Sequence, residues 1–571
     1  MENHRIADIF DEIADVLELK DESVFRIRSY RRGARAIRDL PEDVKTIAES
    51  GELIKVPGIG KSLAEKVDEV LATGTAEFYE KIKKAPEYQL LPLLGIPGLG
   101  PKHVMQFYRV LGIASVDDLE NAARAGRLHD LERVGEKLEE KILKGIEQHR
   151  RSSGRYRLAE ALHHAESVVE ELRRLKGVTR IDVAGSCRRM KETIGDIDIL
   201  VISRSPEKIM EAFTKMKSVD DVIARGGTKS SVLLRAGIQV DLRVLRKENY
   251  GAALHYFTGS QDHNVIIRDR GKRRGLRVSE YGVFNVETAE RLGGETEDEI
   301  FSALGLPFIP PELRENNGEF EAADEGRLPK LVEMKDIRGD LHMHTTATDG
   351  RNTPREMATA ARKRGYKYIA ITDHSQAVRV AGGLDADELA AHIKAVRRAN
   401  KEVKGIEVLT GVEVDILKDG SLDLPDDVLK QCDVVVAAVH SGFSMPENKM
   451  TERILRAFEN ENVNILAHPT GRIIGEREPY EVDMEAVIKA ARESGVALEL
   501  NAFPDRLDLK DVHCRAAREA GAKISIGTDS HAVAHLDNMR YGTGTARRGW
   551  CEAGDIVNTM TLAKLRKFIA R

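Results

Sequence analysis

From residue 338 onward, short apolar runs recur at intervals long enough to hold a helix, and nearly all of them end in an imidazole or a carboxylate. The runs are "YIAITDH", "VLTGVEVD", "VVVAAVHS", "NILAHPT", "ALELNA" and "KISIGTDSH", with "LHMHT" ahead of them. Continuous apolar strands separated by helical segments predict a parallel sheet with crossover helices, and such a sheet can close into a barrel. Parallel barrels place their chemistry at the carboxyl ends of the strands. Nearly all of His342, His344, Asp349, His374, Glu413, His440, His468, Asp529 and His531 fall there. A single histidine of this kind is explained by a hydrogen-bonded loop; nine such groups at strand ends are not. They also exceed what one tetrahedral ion can use, which implies two or three ions, with Zn, Mn or Fe all compatible with N/O ligands.

A second constraint lies in "GSCRRMKETIGDIDILVIS", residues 185 to 203. Period-2 alternation sends Asp196 and Asp198 to one face and Ile197 and Ile199 to the other. Two unit charges ~4 Å apart repel by ~4 kcal/mol at an effective dielectric near 20, so this pair needs a cation or a raised pKa. Magnesium, or manganese, is the usual answer where substrate phosphates complete the shell. Asp241, in the apolar strand "IQVDLRV", is a third candidate. A lone Asp-x-Asp is common at solvated sheet edges. The preceding Gly-Ser turn and two arginines, suited to a triphosphate, shift the reading to nucleotidyl transfer.

Residues 1 to 150 read instead as helices joined by Gly/Pro turns. "KVPGIGKSLAEKV" at 55 to 67 recurs as "GIPGLGPKHVMQF" at 95 to 107 and, degenerate, within 132 to 143. Gly58, Gly60, Gly98 and Gly100 would leave backbone N–H groups at helix N-termini free to hold DNA phosphates without reading bases. The same turn can serve helix packing alone, but two full copies beside the basic run "RIRSYRRGARAIR" favour a nucleic-acid backbone.

At 571 residues the chain must split into several domains. The net charge of -5 masks these basic runs. Its four cysteines show no C-x-x-C spacing, so neither a thiolate zinc site nor a disulfide framework is suggested, which fits a reducing cytoplasm. No apolar run reaches the ~18 residues of a membrane span, so neither export nor anchoring is expected.

The segments "GSCRRMKETIGDID", "VDLRV" and "YFTGSQDHNVIIR", together with the paired hairpins, resemble family X DNA polymerases over about the first 315 residues. The remainder resembles the polymerase and histidinol phosphatase (PHP) domain, a distorted (β/α)7 barrel. The whole order is similar to bacterial and archaeal family X polymerases. The resemblance implies a helical, lyase-like hairpin domain at 1–85 and a second hairpin subdomain at 86–150. An α+β palm at 151–250 and a nucleotide-selecting thumb at 251–317 follow, then a linker at 318–337 and the PHP barrel at 338–571. Pro, Gly, Asn and Glu accumulate at 306–326, and that stretch reads as a linker.

On the same resemblance Asp196 and Asp198 hold both polymerase metals and Asp241 joins them on the primer side. Gly185, Ser186, Arg189 and Gly195 hold the triphosphate. Tyr256 and Phe257 line the sugar pocket, Thr258 and Gly259 also bind the nucleotide, Asn264 touches the incoming base and Arg268 faces the template. Lys66, with Tyr30 and Arg31 near it, matches the Schiff-base lysine of the family's 5'-deoxyribose phosphate lyase. Gln239 stands two residues before Asp241 where the animal enzyme has arginine, and Gln261 replaces an aspartate. The implied function is gap filling in DNA repair by a monomer acting on gapped or primed DNA with deoxynucleoside triphosphates, and a manganese-dependent 3'-5' exonuclease in the barrel. An RNA-end nucleotidyltransferase fused to a phosphatase, or a silent DNA-binding scaffold, are the alternatives.

Overall fold

The computed structural model describes residues 2–38, 44–56, 58–96, 99–129, 131, 134–135, 138–139, 141–143, 145–146, 155–475 and 477–570. It divides into two compact units, Met1–Gly154 and Arg155–Arg571.

The first unit is helical and has two apolar cores. One gathers Phe10, Ile13, Tyr30, Val67 and Ile82; the other gathers Leu93, Val104, Phe107 and Leu119. Helices Lys61–Thr73 and Pro101–Leu111 each start at a glycine with extended backbone, Gly60 and Gly100. Gly58 has φ +104°, a left-handed conformation that a side chain rarely adopts, and an added Cβ would lie 3.0 Å from Arg32 Cγ. Among the described residues no helix is long and apolar enough to cross a membrane.

The second unit begins with a five-stranded sheet in the order Val178–Val183, Asp196–Ser203, Gln239–Leu245, Lys229–Leu234, Val219–Arg225. Its central pair, Asp196–Ser203 with Gln239–Leu245, is parallel, and the other ladders are antiparallel. Ile197, Ile199 and Val201 pack with helices Leu158–Arg173 and Pro206–Thr214 in the palm core. On the opposite face Leu200 packs with Tyr250, Ala253 and Leu254 of helix Tyr250–Thr258. The alternation expected for "DIDIL" is therefore the alternation observed.

A three-stranded sheet and helices Gln261–Arg273 and Glu297–Ala303 follow. The stretch read as a linker is packed rather than loose. Arg314 and Glu319 are fully buried, Phe320 is 2% exposed, and Glu319 begins a short helix while Oε1 lies 2.9 Å from His263 Nδ1. Its polar composition misled because these polar groups are satisfied internally: Asn316 and Asn317 donate backbone N–H groups to the Glu319 carboxylate.

Seven parallel strands, Gly339–Asp340 through Ile524–Gly527, then lie side by side in strict chain order. The ends meet beyond the last ladder, where Asp529 N–H donates to the His342 carbonyl and His344 N–H to the Ser530 carbonyl, closing the barrel. Leu565, on the C-terminal helix Leu562–Ile569, and Val557 fill the barrel's inner core against Leu341, Tyr368 and Ala497.

The barrel packs directly on the palm. Leu507 and Tyr541 of the barrel belong to the palm's own hydrophobic core. Arg472 pairs with Glu192 at 2.7 Å and Arg540 with Glu166 at 2.7 Å.

Candidate active sites

In the palm, the parallel register sets Asp198 against Asp241 and Asp196 against Gln239. Gly185, φ +62°, turns the chain beside them; an added Cβ would lie 2.5 Å from Asp198 Oδ2, so only glycine lets this turn approach the carboxylate. Burial, then the charges of Asp196 and Asp241, push Asp198 up to about 7. Burial and Asp241 raise Asp196 as well. Asp241 accepts from Gln239 Nε2 at 2.8 Å and faces Lys229 Nζ at 3.5 Å. Three acids gathered on one sheet face, two of them raised by burial and by the neighbouring carboxylates, are a donor set fit for a divalent cation. Lys229, which sequence reasoning missed, is the nearby counter-charge; its signal was only a lysine opening the strand next to that of Asp241.

The residues expected at the triphosphate and sugar contact one another and the thumb. Arg189 donates from Nε to Glu315 Oε1 at 3.0 Å and from Nη1 to the Thr258 carbonyl. Its neighbour Arg188 pairs instead with Glu297 at 2.6 Å and donates to Thr258 Oγ1 at 2.7 Å. Tyr256 and Phe257 meet edge to face, ring centroids 5.0 Å apart, and Arg243 stacks 4.1 Å over Phe257. Gly259 has φ +69°. Asn264 is buried and donates to the Tyr256 carbonyl at 2.8 Å, so it holds the aromatic turn while its Oδ1 lacks a partner among the described residues. Ser186 and Gly195 are half-buried beside the triad, and Arg268 is half-buried on helix Gln261–Arg273.

In the barrel all nine predicted groups converge. Three clusters each bring one donor atom per residue within 4.8 Å of the others: His344, Asp349, His374, His531; His342, His344, Asp529; and His374, Glu413, His440. His468 Nε2 joins at 3.1 Å from Glu413 Oε1. His374 Nδ1 lies 2.7 Å from Glu413 Oε2, yet both are buried without a hydrogen bond among the described residues. Buried imidazole and carboxylate donor atoms that converge with hydrogen bonds left unmade are a set fit for metal ions. Despite burial, His374, His440 and His342 hold Glu413 well below the usual carboxylate range. Glu413 and Asp415 raise His440 to about 10 against burial, whereas burial and Arg506 push His468 down to about 3.

Family models match along the chain in the same order as these structures. A helix-hairpin-helix domain matches residues 1–76, a SAM-like helix-hairpin-helix tandem 90–148, a DNA polymerase beta palm 157–253, a DNA polymerase beta thumb 253–315 and a PHP domain 340–503. The DNA polymerase/3'-5' exonuclease PolX of Bacillus subtilis is 39% identical over 573 aligned residues, covering all of both chains. This chain belongs to the PolX family. The barrel alone is also similar to a probable phosphatase of Thermoanaerobacter sp. strain X514, 32% identical over 40% of this chain and 93% of that protein. It is 33% identical to a probable phosphatase of Shewanella sp. strain MR-4 over 34% of this chain and 77% of that protein.

Sequence reading did not find the groups that orient the donors of this PolX barrel. Glu499 Oε1 lies 2.6 Å from His342 Nδ1, and its Oε2 accepts from the His468 backbone at 2.7 Å. Asp415 Oδ1 lies 3.0 Å from His440 Nδ1. Such partners fix the tautomer and aim of a ligating imidazole. Their signal was present: Glu499 and Asp415 are acids inside otherwise apolar strands.

In the helical unit Gly58, Gly60 and Gly100 sit at the turns expected of them, and Gly98 lies outside the described residues. Lys66 Nζ donates to Ser62 Oγ at 3.1 Å and stands 5.9 Å from the Phe78 ring, with Arg26 on the same ring at 4.8 Å. Tyr30 stacks on Phe78, but Arg31 turns away to Asp15 at 2.5 Å and Glu18 at 3.1 Å.

Proposed function

We propose that this PolX protein fills short gaps in DNA by nucleotidyl transfer at Asp196, Asp198 and Asp241 and removes nucleotides from 3' ends at the barrel pocket. The observation that carries the reading is the set of three carboxylates on one face of a polymerase beta-type sheet, beside the Gly185 turn. Deoxynucleoside triphosphate and primed DNA are the substrates such a site takes.

Asp196 and Asp198, on the first strand of the parallel pair, would hold both ions, and Asp241, on the second, would join on the primer side. Gly185, Ser186 and Gly195 offer backbone and hydroxyl donors to the triphosphate, and Arg189 its guanidinium. Tyr256 and Phe257 give the sugar an aromatic wall whose position Asn264 fixes through the Tyr256 carbonyl. Divalent cations at both sites, magnesium in the palm and manganese in the barrel, would lower the pKa of the attacking hydroxyl or water and stabilise the leaving oxygen. In the barrel His342, His344, Asp349, His374, Glu413, His440, His468, Asp529 and His531 would hold two or three ions, with Glu499 and Asp415 orienting His342 and His440. Gly58, Gly60 and Gly100 would track the DNA backbone.

Nucleotide incorporation and end removal, assayed on one gapped duplex with Mg and with Mn, test this reading. Asp198→Ala should lose extension by at least about 100-fold and keep digestion, whereas His344→Ala should do the reverse. Equal incorporation by wild type and Asp198→Ala would refute the palm assignment.

A further inference from the structure

Five residues past the strand Ala497–Asn501, the chain makes a tight turn in which the Arg506 and Leu507 N–H groups both donate to the Phe503 carbonyl, at 2.9 and 3.1 Å. Leu507, with φ +39°, is fully buried in the palm core. Arg506, its neighbour, points the other way and lines the cavity of about 250 Å³ that Asp349, His374, Glu413, His440 and His531 also line. Among the described residues lining that cavity it is the one guanidinium.

Its charge has one distant partner and its N–H groups are not all satisfied. Nε stands 3.9 Å from Asp529 Oδ2, beyond hydrogen-bond distance, and Nη1 is buried with no hydrogen bond among the described residues. A buried, unpaired guanidinium N–H costs free energy unless something reaches it. Asp529 is itself committed to the metal cluster with His342 and His344 and accepts from Asn501 Nδ2 at 3.0 Å. A guanidinium lining a pocket of potential metal donors matches the two non-bridging oxygens of a phosphodiester.

We propose that Arg506 is a catalytic residue of the barrel that grips the scissile phosphate of the DNA 3' end. In hydrolysis the water oxygen bonds to phosphorus, the bond from phosphorus to the 3'-oxygen of the preceding nucleotide breaks, and a proton ends on that 3'-oxygen. Arg506 neither gives nor takes a proton; it stabilises the charge that builds on the phosphoryl oxygens. The palm fixes its aim. Asp505 pairs with Arg157 at 2.9 Å, and the Leu507 carbonyl accepts from Arg472, which itself pairs with Glu192. The turn that carries Arg506 into the nuclease pocket is thus pinned on the polymerase domain.

This inference rests on the barrel being the nuclease site, and the test separates the two. In the full-length protein, Arg506→Gln should lower kcat for Mn-dependent 3' digestion about 100-fold, with bound manganese per chain and primer extension unchanged. Equilibrium binding of dAMP, the product class, to the Mn-loaded protein by titration calorimetry should weaken about ten-fold. Arg506→Lys should recover part of the dAMP affinity. Wild-type digestion by Arg506→Gln overturns the proposal, as does loss of digestion accompanied by loss of manganese with dAMP binding intact, which would make Arg506 only a counter-ion for Asp529. If His344→Ala also digests normally, the site assignment fails; if only His344→Ala is inactive, the Arg506 role alone fails.

Discussion

Asp198 and Asp241 stand directly opposite each other on adjacent parallel strands, so the sheet register itself sets two carboxylates side by side. Burial, then the charges of Asp196 and Asp241, hold Asp198 up to about 7, above its unfolded value near 3.8. A carboxylate with a raised folded pKa favours folding below its unfolded pKa and loses that contribution as pH rises through the folded one. Metal-free protein should therefore lose melting temperature between about pH 4 and pH 7, and Asp198→Asn should flatten that loss. Binding of magnesium in the palm should weaken by up to about ten-fold per pH unit below pH 7, because the ion must displace a proton. Calorimetry across that pH range measures both; a pH-independent affinity would show that Asp198 is already ionised.

Glu297 is the acid on which the thumb depends. Fully buried Arg314 donates to it at 2.6 Å and Arg188 at 2.6 and 2.9 Å. Burial would raise this carboxyl, but Arg314 and Arg188 override it and hold Glu297 down to about 2. Its stabilisation is present above the unfolded value near 4.5 and is lost as pH falls toward 2. Glu297→Gln leaves Arg314 buried without its counter-charge, which costs about 3–5 kcal/mol. The variant should melt well below wild type at pH 7, and the gap should narrow below pH 4.5.

Much of this was legible in the residues. The barrel donors could be read because nearly all sit at or just past the end of an apolar strand, where periodicity announces the strand and the donor stands out; Asp349, in a polar turn, is the exception. The palm triad was legible for the same reason. Strand Val219–Arg225 escaped because, on the sheet edge, six of its seven residues are exposed and no apolar alternation marks it. Arg506 escaped because it lies in a loop whose position is set by Leu507, a contact with the palm that no local pattern encodes. The buried stretch around Arg314 and Glu319 was read as a linker because charge in sequence looks the same whether it faces water or another buried charge.

Arg189 shares Glu315 with the barrel. Glu315 Oε1 accepts from Arg189 Nε at 3.0 Å and from Arg548 Nη1 at 2.9 Å, and Arg548 Nη1 also donates to the Arg189 carbonyl at 2.9 Å. A carboxylate on the guanidinium assigned to the triphosphate competes with that triphosphate. Charged hydrogen bonds are worth about 1.5–3 kcal/mol, so Glu315→Gln should lower KM for the incoming nucleotide about ten-fold with little change in kcat. A rise in KM, measured by steady-state extension of a gapped primer, would mean that Glu315 aims Arg189 rather than restraining it.

We propose that Lys66 acts as a nucleophile on a 5' sugar phosphate. Ser62 holds its amine through the hydroxyl at 3.1 Å and the carbonyl at 3.2 Å, Phe78 and Tyr30 form an aromatic floor, and Arg26 adds a cation over the same ring. An amine above an aromatic floor can condense with an aldehyde, while a nearby guanidinium holds the phosphate that leaves. Borohydride should trap a covalent adduct between the wild-type protein and DNA bearing a 5'-deoxyribose phosphate, and Lys66→Ala should reduce it at least about ten-fold with DNA affinity unchanged. Trapping that survives in Lys66→Ala would move the nucleophile to another amine. Trapping absent from both would make the Lys66 cluster a phosphate-binding surface alone, whose DNA affinity should then fall steeply with salt as counterions are released.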